Sequence, residues 1–264
     1  MVLCTSGGLP GALVMRRLAQ DPRVQITGLV VSSRIFGKSD SRLQSVWKLY
    51  RKSGLRYLLY LWSSTSLATL LGRFGNLPPV QVQAASLGCP VLTTRDVNDD
   101  RGCAFLDACA PDLLVSAFFN QRISSDVFDR PAAGAVNIHP SLLPELKGVD
   151  PVFYAKLRGV KKVGVSVHRL ADELDAGALL GQQEIEVGSR ESVLLITSRL
   201  YQQGATMLLA DLERIGDGDP GRPQQGRGGY DSWPTQDQVS ALRREGNALV
   251  IAADLATMVT GRFG

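Results

Sequence analysis

The chain has 264 residues, enough for one large domain or for a medium domain with a small appendage. Hydrophobic and charged fractions of 44% and 20% exclude a disordered or fibrous chain and fit an ordinary globular protein. The net charge of +4 hides an asymmetry: residues 1–56 carry ten Lys or Arg against Asp21 and Asp40, whereas the remainder is net acidic. A local positive field suits an anionic small molecule, an anionic membrane surface or a nucleic acid, and equally a plain solvated face. Cys4, Cys89, Cys103 and Cys109 show neither a CxxC pair nor metal-ligand spacing, so they read as reduced thiols of a cytoplasmic protein without a metal.

Val2–Cys4 reads as a strand from the outset, so no targeting peptide is expected before it. The glycine-rich turn Thr5–Gly11 and the helical pattern Ala12–Gln20 follow. Unpaired amides at that helix start make Gly7 and Gly8 candidates for contact with an anionic substrate, with a tight structural turn as the alternative. Ile26–Ser33 is a second, buried parallel strand.

Residues 34–75 form an insert rich in Arg and Lys (Arg34, Lys38, Arg42, Lys48, Arg51, Lys52, Arg56), followed by Tyr57–Trp62 and Leu67–Leu71. The expectation is two helices interrupted at Ser63–Ser66, too short to span a membrane. A helical cap on the chain's own domain is preferred over a membrane-surface helix. Pro90–Thr93 and Asp112–Phe118 are further strands, the latter leading into a loop at Asn120–Ile123. Alternating strand and helix signals predict an α/β fold with a doubly wound, mostly parallel sheet.

Ala135–Pro144 reads AVNIHPSLLP. Val136 and Ile138 alternate with Asn137 and His139, so the amide and the imidazole share one face of a strand that Pro140 ends. The carboxyl end of a strand is where open α/β sheets bind ligands. Val163–Leu170 and Leu179–Val187 form a hairpin-like pair around the acidic loop 171–177. Within it Asp175 can reach a neighbouring strand end, Asp172 and Glu173 read as solvated, and His168 reads as structural. Glu191–Arg214 has helical spacing, and Gly216–Gly229 has the composition of a linker. The tail brings a helix capped by Thr235 and an apolar end at 248–259.

AVNIHPSLLP, the following Gly148–Pro151 and GVSVHRLADELDAG together resemble the folate-dependent formyltransferase family. Its relatives include glycinamide ribonucleotide, methionyl-tRNA and sugar N-formyltransferases and formyltetrahydrofolate hydrolase. The resemblance is strong over 132–187 and weaker before, and the insert and the tail after 230 lie outside the shared core. It implies a Rossmann-like, mostly parallel sheet flanked by helices. It further implies a catalytic domain at 1–215 with the insert at about 34–75, a linker at 216–229 and a C-terminal extension at 230–264.

By the same resemblance, Asn137, His139 and Asp175 are the catalytic set. Asn120, Gln121, Ile123, Ser141, Leu142, Leu143, Pro144, Leu174 and Gly177 border the folate, although Phe119–Arg122 departs from the short apolar segment usual there. The implied reaction is formyl transfer from 10-formyltetrahydrofolate to a primary amine, a step of one-carbon metabolism. Asn137 can donate to the oxyanion, His139 can relay a proton, and Asp175 can orient the imidazole. The acceptor is expected to be a small-molecule amine, an amino sugar or a specialised metabolite, and the basic insert suits an anionic one. A tRNA acceptor is set aside, because the tRNA-directed relatives carry a C-terminal β-barrel that the roughly 35 residues after the linker are too few to build. A hydrolase using the same residues, or a folate-binding regulator without turnover, are the alternatives; the oligomeric state stays open.

Overall fold

The computed structural model describes residues 1–35, 37, 40–188, 191–226 and 228–260; Lys38 of the expected basic cluster, Arg227 of the expected linker and residues 261–264 of the tail lie outside them. The elements in chain order are β1 (Val2–Thr5), α1 (Gly8–Ala19), β2 (Gly28–Ser32), α2 (Arg42–Trp62), a π-helical turn at Ser63–Leu67, α3 (Ala68–Gly72) and α4 (Val80–Ser86). Then come β3 (Val91–Thr94), α5 (Asp100–Cys109), β4 (Leu114–Ala117), α6 (Ser125–Phe128), β5 (Ala135–His139), β6 (Lys147–Gly148), α7 (Pro151–Leu157) and β7 (Val163–Arg169). The chain closes with β8 (Leu179–Ile185), α8 (Val193–Ala210), α9 (Leu212–Gly216), β9 (Tyr230–Asp231), α10 (Gln236–Arg244) and α11 (Ala252–Thr260).

Seven strands form one sheet in the order β3-β2-β1-β4-β5-β7-β8. All pairings from β3 to β5 are parallel, and β7 runs antiparallel to both β5 and β8. β1, β2 and β4 are buried along their whole length and read as continuous apolar runs, whereas the edge strand β3 alternates, with Val91 40% exposed. One side, with Leu3, Val31, Val136, Ile138 and Val165, packs under α1 and α8. Gly204 of α8 lets that helix approach closely, since a Cβ there would lie 2.3 Å from Ile138 Cγ2. The other side, with Val2, Cys4, Val30 and Leu114, packs with Leu106 and Cys109 of α5. Along β5 and β7 that second side carries Asn137, His139, Ser166 and His168 instead of apolar residues, and the site is built there.

The insert differs in detail from the sequence expectation. Its break falls at Gly54 (φ 80°, ψ 172°), and the helix does not stop at Ser63–Ser66. There the hydroxyls bond back to the preceding turn, Ser63 and Thr65 to the carbonyls of Leu59 and Leu61, and the turn widens to π geometry. The inner face of the insert is a cap. Tyr57 is fully buried and meets Tyr60, Phe153 and Trp233 at ring distances of 5.4–6.2 Å. Ser53 Oγ donates to Pro234 O (2.6 Å), so the C-terminal segment is clamped to the same cap. Residues 216–229 are tied down as well: Arg222 and Leu179 exchange backbone hydrogen bonds, and Gly228 sits against Pro144 O.

Candidate active site

The ladder places Asn137 opposite His168 and His139 opposite Ser166. His168 donates through Nδ1 to the carbonyl of Arg169 (2.7 Å), which leaves Nε2 bare to accept from Asn137 Nδ2 (3.1 Å). Burial first, and then the neighbouring His139, pushes the His168 pKa down to about 4, so the neutral ring this arrangement requires is the favoured one. Its partner Asn137 is thereby fixed in rotation and keeps one amide hydrogen, which no acceptor engages among the described residues. His168 is thus structural in the sense of positioning Asn137, a role that strand pattern alone does not show.

His139 is buried at the end of β5, where each ring nitrogen faces an acceptor: Asp175 Oδ1 at 3.4 Å from Nδ1 and the Leu146 carbonyl at 3.2 Å from Nε2. The Asp175 turn is held by two distant residues. Its Oδ2 accepts the Gly148 N–H (2.9 Å), and Gln224 Nε2 donates to the carbonyls of Asp175 (2.9 Å) and Gly177 (2.8 Å). A Cβ on Gly177 would collide with the Arg169 carbonyl, so this turn can close only on glycine. Four of the five non-glycine residues with positive φ among those described, Phe118, Leu146, Asp150 and Asp175, lie on the loops that frame this site. Strained backbone concentrated in this way is characteristic of over-determined functional geometry.

The Gly148 amide is itself placed by a second, two-stranded sheet, β6 with β9, in which Val149 N–H donates to Asp231 O (2.8 Å). The positions of Gly148, Gln224 and Asp231 around Asp175 have no local signal in the sequence, because each depends on a contact between distant segments. Glu173 and Asp172 are exposed as expected, but both are paired, to Lys147 (3.7 Å) and to Arg122 (3.6 Å). The Arg122–Asp172 pair links the loop after β4 to the 171–177 loop.

The other expected contacts are distributed unevenly. Asn120 Oδ1 accepts from Ser32 and its Nδ2 donates to Arg34 O, while Gln121 is buried against Ser32, Thr94 and Val97. Their side chains anchor the loop to β2 and β3, so a ligand beside them meets backbone. Ile123 is buried in the α5-side core. Ser141 Oγ bonds Glu145 O, Leu142 packs on Gly164, and Leu143 is pinned by Ser166 and Gln182. That turn, with Pro144, braces the floor beneath His139. Leu174 is exposed on the Asp175 loop. Gly7 is the α1 N-cap, but Gly8 is overlain by the insert: a Cβ there would lie 2.4 Å from Ser64 O. Because Pro10 has no N–H, this helix start offers fewer free amides than its glycines suggest.

A family model described as formyl transferase matches residues 42–212, roughly two thirds of the chain, beginning inside the insert, which is therefore not wholly outside the family. Among curated proteins, the methionyl-tRNA formyltransferase of Bacillus licheniformis is 37% identical over 141 residues, 53% of this chain and 45% of that protein. That of Bacillus pumilus is 39% identical over 131 residues, 50% of this chain and 41% of that protein. The chain thus spans less than half the length of these relatives. They are named for a tRNA substrate, which overturns the expectation that tRNA can be set aside as an acceptor. Among solved structures, phosphoribosylglycinamide formyltransferase from Anaplasma phagocytophilum superposes with a TM-score of 0.57 at 18% identity, covering 88% of this chain and 97% of that one. A sugar N-formyltransferase from a Shewanella species gives 0.55 at 18% identity, covering 88% and 75%. These two show the shared fold: a mostly parallel sheet flanked by helices. Described residues include no helix long and apolar enough to cross a membrane. The family match, reaching from the insert through the strand of His139 and the loop of Asp175 to the end of α8, shows that the chain belongs to the formyl transferase family.

Proposed function

We propose that this chain transfers a formyl group from 10-formyltetrahydrofolate to a primary amine, with Asn137, His139 and Asp175 as the reacting set. The observation that carries the reading is the 3.4 Å approach of Asp175 Oδ1 to His139 Nδ1, with Asn137 two residues away on the same strand face. The folate supplies an electrophilic formyl carbon carried on nitrogen. The residues fit such a donor, since Asn137 retains an amide hydrogen for a formyl oxygen beside His139.

As the amine nitrogen bonds to the formyl carbon, negative charge develops on the oxygen, and the free Asn137 N–H donates to it. Loss of one such donor typically lowers the rate by about 10²–10³. His139, through Nε2 released from the Leu146 carbonyl, takes the proton that the amine nitrogen sheds and delivers it to the nitrogen that leaves the formyl carbon. Between these transfers the ring is cationic, and Asp175 balances it from Nδ1 while Gly148 N–H holds the carboxylate in place. The products are the formamide and tetrahydrofolate.

The preferred acceptor is a small-molecule amine such as an amino sugar. A tRNA-borne amine is the second reading, favoured by the relatives' printed names. The test is release of tetrahydrofolate from 10-formyltetrahydrofolate in the presence of amino-sugar nucleotides or of methionyl-tRNA. Turnover with either acceptor that is lost in His139→Ala supports the reading. Formate release without any amine replaces it with a hydrolase, and no turnover despite folate binding replaces it with a folate-binding regulator.

A further inference from the structure

The cap has a second face. In the first half of α2 the side chains of Ser45, Leu49 and Ser53 are buried, and Leu43, Trp47 and Tyr50 stand on the opposite side, Leu43 83% and Trp47 57% exposed. After the break at Gly54 the pattern restarts: Tyr57 and Tyr60 turn inward, while Leu55 (56% exposed), Leu59 and Trp62 face out. Beyond α3, Phe74 is 85% exposed. Isolated exposed apolar residues are normal, but a recurring i, i+4, i+7 stripe of Leu and Trp on the outer side of two successive helical segments is not.

Every charged residue of α2 is basic, and the acid just before it, Asp40, is paired with Lys48 (2.6 Å). No Asp or Glu occurs between Ser41 and Arg95. Arg51 lies over the Trp47 ring at 5.0 Å, and Arg42, Arg51 and Arg56 are exposed with no ion pair among the described residues. An isologous contact with a second copy would set these arginines against one another with no carboxylate between them. A partner with negative charge outside and hydrocarbon beneath matches both components at once.

We propose that the outer face of the insert is a docking surface for an anionic lipid bilayer. The helix lies in the headgroup plane with Leu43, Trp47, Leu55 and Leu59 entering the acyl boundary and the arginines on lipid phosphate. This is peripheral attachment, independent of the chemistry at His139. The inner face keeps the cap on the enzyme through Tyr57 and Ser53, so docking requires no unfolding.

The experiment is co-sedimentation of the full chain with extruded vesicles of phosphatidylcholine alone or with 30% phosphatidylglycerol, with and without tRNA, alongside Trp emission. Wild type is expected to bind the anionic vesicles, with a blue shift from Trp47 and Trp62. Leu43→Ser/Leu59→Ser should bind at least tenfold more weakly at unchanged melting temperature, because both side chains are exposed. Each of Arg42→Gln, Arg51→Gln and Arg56→Gln should weaken binding by about fivefold. Absence of vesicle binding, or binding unaffected by the serine substitutions, overturns the proposal. So does binding to tRNA or to a second copy that the serine substitutions abolish while vesicle binding is unchanged.

Discussion

Asp175→Asn separates the charge of the third group from its shape. Asp175 sits at φ 54°, in the left-handed region that asparagine tolerates well, so the turn survives the substitution. The new amide can still accept from Gly148 N–H through its oxygen and present its NH2 to His139 Nδ1. The negative charge is lost, and the bond to Nδ1 reverses direction, which moves the ring hydrogen to Nε2. At 3.4 Å, with an effective dielectric of about 20, two unit charges interact by about 5 kcal/mol. In the proposed step His139 gains a proton beside this carboxylate, so the lost attraction falls on the barrier, and kcat should drop about 10³–10⁴-fold. Folate affinity should change by less than about threefold, since asparagine has the shape of aspartate and adds no bulk. Single-turnover deformylation with a saturating amine, paired with a folate titration, measures both. A loss below tenfold with folate still bound would refute the assignment of Asp175 as the counter-charge.

Further outcomes follow from the packing. His168 has its pKa lowered to about 4, so between about pH 4 and 6.5 the unfolded chain binds one more proton there and stability rises with pH. Asp150, buried under Tyr57, has its pKa raised to about 6, so between about pH 4 and 6 the folded chain binds the extra proton and stability falls with pH. The two slopes oppose each other, and Asp150→Asn should uncover that of His168, up to about 1.4 kcal/mol per pH unit in urea melts at pH 4.5–6; an unchanged slope would contradict the burial argument. Gly8→Ala should destabilise by about 1–3 kcal/mol, because a methyl group meets the Ser64 carbonyl and φ is 65°; neutrality in the same melts would mean the cap does not sit on α1. His168→Phe should reduce kcat about 10–100-fold with little change in KM, by freeing the Asn137 amide to rotate; an equal loss in His168→Asn and His168→Phe would argue for general damage instead.

Much of this was legible in the residues. The alternation in AVNIH placed Asn137 and His139 on one face, and continuous apolar runs marked the parallel strands. Thr235 is the expected cap, and its capping box with Gln238 is present. What could not be read depends on contacts between distant segments. The identity of the partner that orients Asn137 follows from the β5–β7 register, and the Gly148 amide that seats Asp175 depends on a two-residue ladder to β9. Ser63–Ser66 reads as an interruption because hydroxyls usually compete with helical bonds; Ser63, Ser64 and Thr65 instead bond backward, and the helix widens. Glycine-rich composition at 216–229 suggested slack, yet Gln224 from that stretch grips the Asp175 turn.

That grip has a consequence for how the protein comes into being. The strand bearing His139 is complete before residue 140 is made, but its carboxylate neighbour is not fully seated until Gln224 and Asp231 have been added. A nascent or nicked polypeptide lacking those residues would possess the three proposed side chains without the seat of the carboxylate. The arrangement proposed to be competent therefore assembles only after Gln224 and Asp231 have threaded back across the turn they secure.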